Sequence, residues 1–338
     1  MAKLNVLIAG CTGYIGIELT KILIKHKKVK IKYLCGSSSV GKKISYYDKF
    51  IKKTLPRISK FKKSMLKEID VIFTALPNGE AQKISTHLNK NNLLIDLSAD
   101  FRISEKSYYK WYKKKHKSPE NIKKSIYCLP ELLTKNIDNY KILSCPGCYP
   151  TSILLPLIPL IKKRLINTKN IIIDSKSGYS GAGRNVHRKY KNKNLYESLS
   201  SYGVGFHRHN SEIDQELKKI NKGEVKFNFT PHLTPMFRGI LSTIYIDLKN
   251  NVNQSKILKT LKNYYKNKYF VKIMKKNQFL STNDVINTNF CKISICRSKY
   301  TDKLIILSVI DNLVKGGSGQ AVQNMNKKFK FKESLGLL

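Results

Sequence analysis

Apolar positions in this chain fall into short runs of two kinds. Leu4–Ala9 (LNVLIA) is an apolar run of the type that forms a strand buried on both faces. It leads into Gly10-Cys-Thr-Gly13-Tyr-Ile-Gly16. An amphipathic stretch follows from Tyr14 to His26, with Ile15, Leu19, Ile22 and Leu23 on one face. Lys30 to Cys35 reads as a second strand, completing a β-turn-α-β unit of the length that builds a parallel sheet. Further short strands are expected at Val71–Leu76 and Leu93–Leu97, with a helix between them. Ile142–Leu143 runs into Cys145-Pro-Gly-Cys148, and a helix is expected from Thr151.

The pattern changes at Ile171. Strand-like runs appear at 171–175, 225–229, 241–248, 289–296 and 304–311, several alternating polar with apolar as in a one-side-exposed antiparallel sheet. Gly316-Gly317-Ser318-Gly319 then opens a last helix through Ala321, Val322 and Met325. The expected fold is α/β: a Rossmann-type parallel-sheet domain over 1–147 and 313–338, and an α+β substrate domain over 148–312 with a mixed, largely antiparallel sheet. No internal repeat interrupts this order.

Composition narrows the class. No run reaches the ~20 apolar residues of a membrane helix, and the longest, Ile153–Ile161, is broken by Pro156 and Pro159. The apolar N-terminus ends at once in a glycine turn with no small-residue cleavage site, so a cytoplasmic protein is expected. Lys and Arg number 64 against 22 acids, a net charge of +42. That balance raises nucleic acid as a partner. The lysines are spread along the chain with much Ile, Asn and Tyr, the signature of an AT-rich coding sequence, so no specific nucleic-acid role is expected. The field still draws in anionic ligands. Seven cysteines without a secretory signal read as reduced thiols. A zinc site would need a second ligand pair, and Cys291 and Cys296 are poorly spaced for one, so no metal is expected.

Glycines between a buried strand and a helix let the backbone approach a phosphate, while the helix N-terminus supplies N–H groups and a positive dipole end. Gly10, Thr12, Gly13, Tyr14, Ile15 and Gly16 are therefore candidates for a dinucleotide pyrophosphate, although the spacing is G-x-x-G-x-x-G. Sites for NAD place an acid near the end of the second strand. Here Cys35-Gly-Ser37-Ser38-Ser39-Val-Gly-Lys42-Lys43 holds none, and its hydroxyls and lysines suit the 2′-phosphate of NADP.

Cys145-Pro-Gly-Cys148 sits where a strand gives way to a helix. A thiol at a helix N-terminus ionises more easily and suits covalent catalysis. A thioredoxin-like redox pair or simple buried cysteines are the alternatives. Spacing alone leaves Cys145 and Cys148 open. Downstream, Asp174-Ser-Lys176-Ser177-Gly178-Tyr-Ser-Gly-Ala-Gly-Arg184 offers donors and flexible backbone for an anion. His207-Arg-His209-Asn-Ser-Glu212 places His209 and Glu212 on one face of a starting helix, where the carboxylate can orient the imidazole.

These pieces resemble the N-acetyl-gamma-glutamyl-phosphate reductase family along nearly the whole chain. The resemblance rests on the glycine turn, Leu76-Pro-Asn-Gly79, Asp96-Leu-Ser-Ala-Asp100-Phe-Arg102, Leu129-Pro-Glu131 and Pro146-Gly-Cys148-Tyr-Pro-Thr151. It continues through Asp174–Arg184, His207–Ile213, Phe229–Gly239 and Asp311-Asn312-Leu-Val-Lys315-Gly to Met325. It implies that Cys148 is the nucleophile, since relatives usually carry Asn at the Cys145 position. It also implies a catalytic group of Cys148, His207, His209 and Glu212, and a homo-oligomer, dimer or tetramer. Asn312 and Lys315 would join the cofactor site. Arg102, Lys176, Ser177, Arg184 and Tyr202 would hold the phosphate and substrate carboxylate. Cys145 departs from the family pattern and suggests a reversible disulfide with Cys148.

The implied chemistry is NADPH-dependent reduction of N-acetyl-glutamyl phosphate to N-acetyl-glutamate semialdehyde, in arginine biosynthesis, through a Cys148 thioester. His209 is favoured over His207 for the proton because Glu212 can hold it. The nearest alternative is an aspartate-semialdehyde-dehydrogenase-like acyl-phosphate reductase, whose nucleophile context is usually Asn-Cys-Thr. A thiol–disulfide oxidoreductase using Cys145 and Cys148, and a basic nucleic-acid-binding protein on a degenerate enzyme fold, are the alternatives from other classes.

Overall fold

The computed structural model describes residues 3–184, 196–221 and 223–338. The chain divides into two compact units, one running to Gly147 and including Gly317–Leu338, the other Cys148–Gly316. The return to the first unit thus falls at Gly317, a few residues later than 313.

The first unit is a parallel sheet of β1 (Leu4–Ala9), β2 (Val29–Cys35), β3 (Val71–Thr74), β4 (Leu93–Asp96), β5 (Ser125–Tyr127) and β6 (Ile142–Ser144), in the order β2-β1-β3-β4-β6-β5. Its helices are α1 (Tyr14–Lys25), α2 (Glu80–Ser85), α3 (Glu105–Tyr112) and α4 (Pro119–Ile122), with a C-terminal helix that returns to it. Strand alternation divides the core in two. Val6, Ile8, Leu34, Phe73 and Ile95 share one cluster with Leu19 and Leu23 of α1. Leu7, Ala9, Ile72, Leu94 and Ile142 share the other with Ala81 and Ile84 of α2. Both faces are covered, which is why these strands read as unbroken apolar runs. On α1 the inward face is Gly16, Ile17, Leu19, Thr20 and Leu23. Ile15 is only half-buried, a rotation of the expected face by about a quarter of a turn.

The second unit opens with α5 (Cys148–Lys162) and builds a mixed sheet. Its strands are β7 (Ile171–Gly178), β8 (Ser200–Ser201), β9 (Phe227–Thr234), β10 (Ile240–Asp247), β11 (Val271–Ile273), β12 (Cys291–Arg297) and β13 (Lys303–Ile310). The order is β11-β12-β13-β10-β7-β9-β8, with β7–β9 and β11–β12 parallel and the other pairs antiparallel. Helices α6 (Asn210–Asn221) and α7 (Gln254–Tyr265) pack on α5. The helix that returns to the first unit is α8 (Gly319–Lys328). Strand β9 runs five residues beyond the expected 225–229 and through Pro231. Its outer neighbour is only the two-residue β8, so it lies near the sheet edge, where a missing N–H is tolerated.

Helix α5 is buried from Tyr149 to Ile161 and continues through Pro156 and Pro159. A proline removes the bond to the carbonyl four residues back. For Pro159 that carbonyl belongs to Leu155, and the Tyr265 hydroxyl of α7 donates to it at 2.5 Å. Tyr265 therefore completes a helix that its own sequence interrupts. Among the described residues, no helix is long and apolar enough to cross a membrane. Tyr265→Phe should destabilise the chain by about 1–3 kcal/mol, the cost of leaving a buried carbonyl unmet. Urea unfolding checks this, with the neighbouring Tyr264→Phe expected within about 0.5 kcal/mol of the unaltered chain.

Candidate active site

The turn after β1 is shaped by close backbone approach. Gly10 lies at φ +84°, and a Cβ there would stand 2.2 Å from the Ala75 carbonyl oxygen. A Cβ on Gly16 would meet the Gly10 oxygen at 2.2 Å. A Cβ on Gly13, the N-cap of α1, would meet the Gly10 oxygen at 3.6 Å, an ordinary contact, and no side chain caps this helix start. That is the cradle a pyrophosphate needs: two glycines fold the turn, and the third leaves the helix start uncovered. Thr12, Tyr14 and Ile15 line this turn half-buried. At the end of β2, Ser37 and Ser38 are exposed. Ser39 is buried, and its Oγ accepts the Tyr47 hydroxyl at 2.6 Å. Lys42, Lys43, Ser45 and Tyr46 line a shallow cavity of about 440 Å³. The Lys42 ammonium stands 4.5 Å from the Tyr46 ring centre.

Cys148 is the first residue of α5 and is partly open, whereas the other six thiols are buried. Gly316 lies against it: a Cβ on Gly316 would stand 2.7 Å from the Cys148 Cβ. The turn that delivers Gly316 is held by Asp311. One carboxylate oxygen accepts the Leu313 and Val314 N–H groups, and the other accepts that of Asn287. The Gly316 N–H donates to the Asp311 carbonyl at 2.9 Å, and the Arg238 Nε lies 3.3 Å from the carboxylate. Burial raises the Asp311 pKa, with Arg238 and these N–H groups pulling it back.

Tyr149, next to the nucleophile, is 1% exposed. Its ring meets those of His207 at 5.5 Å, His209 at 5.8 Å and Phe229 at 5.2 Å. The His207 Nδ1 accepts the His209 backbone N–H at 3.2 Å, which fixes His207 as a brace. The His209 Nε2 lies 3.9 Å from a Glu212 carboxylate oxygen, and Glu212 is 1% exposed. The Tyr202 hydroxyl donates to that of Tyr149 at 3.1 Å.

Other expected ligands are placed differently. Lys176 alternates with the inward-facing Ser175 and Ser177 along β7. It therefore lies on the outer sheet face, ion-paired with Asp174 at 2.9 Å, beside His232. Ser177 is buried and its hydroxyl donates to the Gly178 carbonyl. Asn312 uses both ends of its amide within the second unit. Its oxygen accepts the Gly239 N–H at 2.7 Å, and its nitrogen donates to Ser180 at 2.9 Å. Lys315 is fully buried, 5.9 Å from the Phe270 ring centre. In this structure the polar groups of Ser177 and Asn312 are engaged within the second unit, Lys176 is ion-paired, and Lys315 is buried. Arg184 is exposed. Arg102, in the first unit, is 8% exposed and donates to the Leu97 carbonyl at 2.7 Å. The loop carrying it is framed by Asp96, which accepts from Thr74 and Ser98, and by Asp100, which accepts from Gly79 and Tyr108. Burial and the nearby Asp100 charge hold Asp96 above the usual carboxylate range.

Residues 5–140 match the family model for the semialdehyde dehydrogenase NAD binding domain, and 148–312 match that for the dimerisation domain. The N-acetyl-gamma-glutamyl-phosphate reductase of Thermoanaerobacter pseudethanolicus is 46% identical over 98% of this chain and 96% of its own length. That of Ehrlichia canis is 38% identical over 99% and 97%. The chain belongs to the N-acetyl-gamma-glutamyl-phosphate reductase family. Solved structures extend the likeness to the fold alone. Aspartate semialdehyde dehydrogenase II of Vibrio cholerae, complexed with ASA, superposes with a TM-score of 0.73 at 16% identity, covering 98% of this chain and 99% of its own. The Candida albicans enzyme with NADP gives 0.66 at 16%, covering 97% and 99%.

Within this family member, three site residues carry no role in the motif pattern alone. Tyr149 was legible only as part of Cys-Tyr-Pro-Thr. Gly316 and Asp311 lie in the Asp-Asn-Leu-Val-Lys-Gly stretch, but only folding brings Gly316 back onto Cys148. The proposed disulfide partner also has a different setting. Cys145 sits in the apolar cluster of the first unit, and the Asn324 amide donates to its sulfur at 3.5 Å. Burial pushes its thiol up to about 12, so it ionises far less readily than an open thiol. Gly316→Ala should lower kcat/KM by about 10²-fold, because displacing a nucleophile by even ~1 Å costs that much. Steady-state kinetics beside an unchanged far-UV circular dichroism spectrum would verify this, and full activity would refute it.

Proposed function

We propose that the chain reduces N-acetyl-glutamyl phosphate to N-acetyl-glutamate semialdehyde with release of phosphate, in arginine biosynthesis. The observation that carries this is the half-open Cys148 at the start of α5, joined through Tyr149 to the His207–His209 pair. The 38–46% identical relatives named for this activity, matched end to end, support the substrate.

The Cys148 thiolate attacks the acyl carbonyl, the C–O bond to phosphate breaks, and phosphate leaves. The product is a thioester on Cys148. When bound, NADPH supplies the hydride that reduces this thioester. His209 gives a proton to the carbonyl oxygen as it gains charge and takes it back as the C–S bond breaks, freeing aldehyde and thiolate. A thiolate suits both halves, being a strong nucleophile and a good leaving group. Glu212, 3.9 Å from the His209 Nε2, stands beside this group. Arg102, Arg184 and Tyr202 would receive the anionic ends of the substrate.

For the cofactor, the residues present fit a dinucleotide with a 2′-phosphate. The glycine cradle of 10–16 would take the pyrophosphate. Ser37, Ser38, Lys42 and Lys43 would take the extra phosphate, with no acid to repel it. Tyr46, 70% exposed, would offer a ring to the adenine. The decisive assay is phosphate-dependent NADP reduction on N-acetyl-glutamate semialdehyde. Activity is expected with NADP well above NAD, and none after Cys148→Ser, whose binding of NADPH should persist. An active Cys148→Ser protein would sink the mechanism, and equal rates with NAD would sink the cofactor assignment.

A homo-oligomer is also supported. Ile172, Tyr245 and Ile305 stand side by side across β7, β10 and β13, with Leu241 and Leu307 on the same face. Helix α5 covers the opposite face, where Ser152 bonds Ser242. Ile172 and Tyr245 are each 43% exposed, an apolar face suited to a second copy. Sedimentation should show a dimer or larger assembly, and Ile172→Asp with Tyr245→Asp should lower its mass. A monomer at micromolar concentration would overturn this. All seven thiols are free, which fits a reducing cytoplasm.

A further inference from the structure

We propose that Tyr149 is a positioning residue that sets the imidazole of His209 through ring contacts and a hydroxyl relay. The proposal rests on the reading of His209 as the proton-handling group. Tyr149 follows the nucleophile directly in the first turn of α5, so its backbone is fixed with that of Cys148. Its ring is sealed from solvent and touches both histidines, meeting His207 at an interplanar angle of 89° and His209 at 70°. Such edge-on contacts hold a neighbouring ring in one orientation beyond what simple burial does.

The ring cannot swing out of this arrangement without breaking hydrogen bonds at its far end. The Tyr149 hydroxyl donates to the His232 carbonyl at 3.3 Å and accepts the Tyr202 hydroxyl at 3.1 Å. Phe229 of β9 closes another side at 5.2 Å. The Tyr202 ring in turn packs on His207 at 5.3 Å, and His207 braces the His209 backbone through its Nδ1. His209 is thus held twice from Tyr149: directly by the ring, and indirectly through Tyr202 and His207. Glu212 stands 3.9 Å from the His209 Nε2, and the ring contacts add to that placement.

A double-mutant cycle on turnover tests this. Tyr149→Leu should lower kcat by about 10–10²-fold while changing the KM for NADP by less than about twofold. In a His209→Ala background the same change should cost almost nothing more, because the group it positions is gone. Tyr149→Phe, which keeps the ring, should recover about tenfold over Tyr149→Leu and serves if the leucine variant folds poorly. Additive losses in the cycle would overturn the proposal, as would unaltered turnover in Tyr149→Leu. A His209→Ala protein with full turnover would instead refute the proton role of His209 itself, an outcome distinct from failure of the cycle.

Discussion

Everything around Cys148 depends on how little room there is between it and Gly316. A methyl group does not fit there without displacing one of them. The reactive thiol is therefore located by two backbones, the start of α5 and the 311–316 turn, rather than by flexible side chains. Asp311 is the hinge pin of that second backbone. Its carboxylate collects three N–H groups and the Arg238 guanidinium. Burying a carboxylate is costly unless its lone pairs are met, and here one oxygen is met by the turn it shapes and the other by Asn287 and Arg238.

The same use of acids recurs. In a chain with 64 basic and 22 acidic side chains, several acids are buried at turns instead of neutralising the surface. Asp100 gathers the Gly79 N–H and the Tyr108 hydroxyl. Asp96 ties Thr74 to Ser98. Glu212 lies beneath His209. The lysine excess surrounds these points, so the field felt by an approaching anion is positive while the internal frame is held by carboxylates.

Much of this was readable from residue order. The first strand, its glycine turn and the amphipathic helix were plain because burial on both sides leaves an unbroken apolar run. Strands β5, β8 and β11 were not, since two or three residues carry no period. The alternation along β7 was visible, and it separates Lys176 from Ser177, but a pattern rich in donors was read as one anion loop. The choice between Cys145 and Cys148 was beyond local physics. It depends on which thiol the fold encloses, and α8 encloses Cys145 with Asn324 from the far end of the chain. Likewise nothing near Tyr149 announces that both histidines will arrive against its ring.

The two prolines of α5 have a consequence for the chain as it is made. The Leu155 carbonyl that Pro159 leaves exposed is met by Tyr265, 110 residues downstream. On a ribosome, the segment bearing Cys148 emerges long before the hydroxyl that completes its helix. A nascent chain thus carries Cys148 at the head of an unfinished helix, and the thiol reaches its folded setting only after α7 has been synthesised and docked.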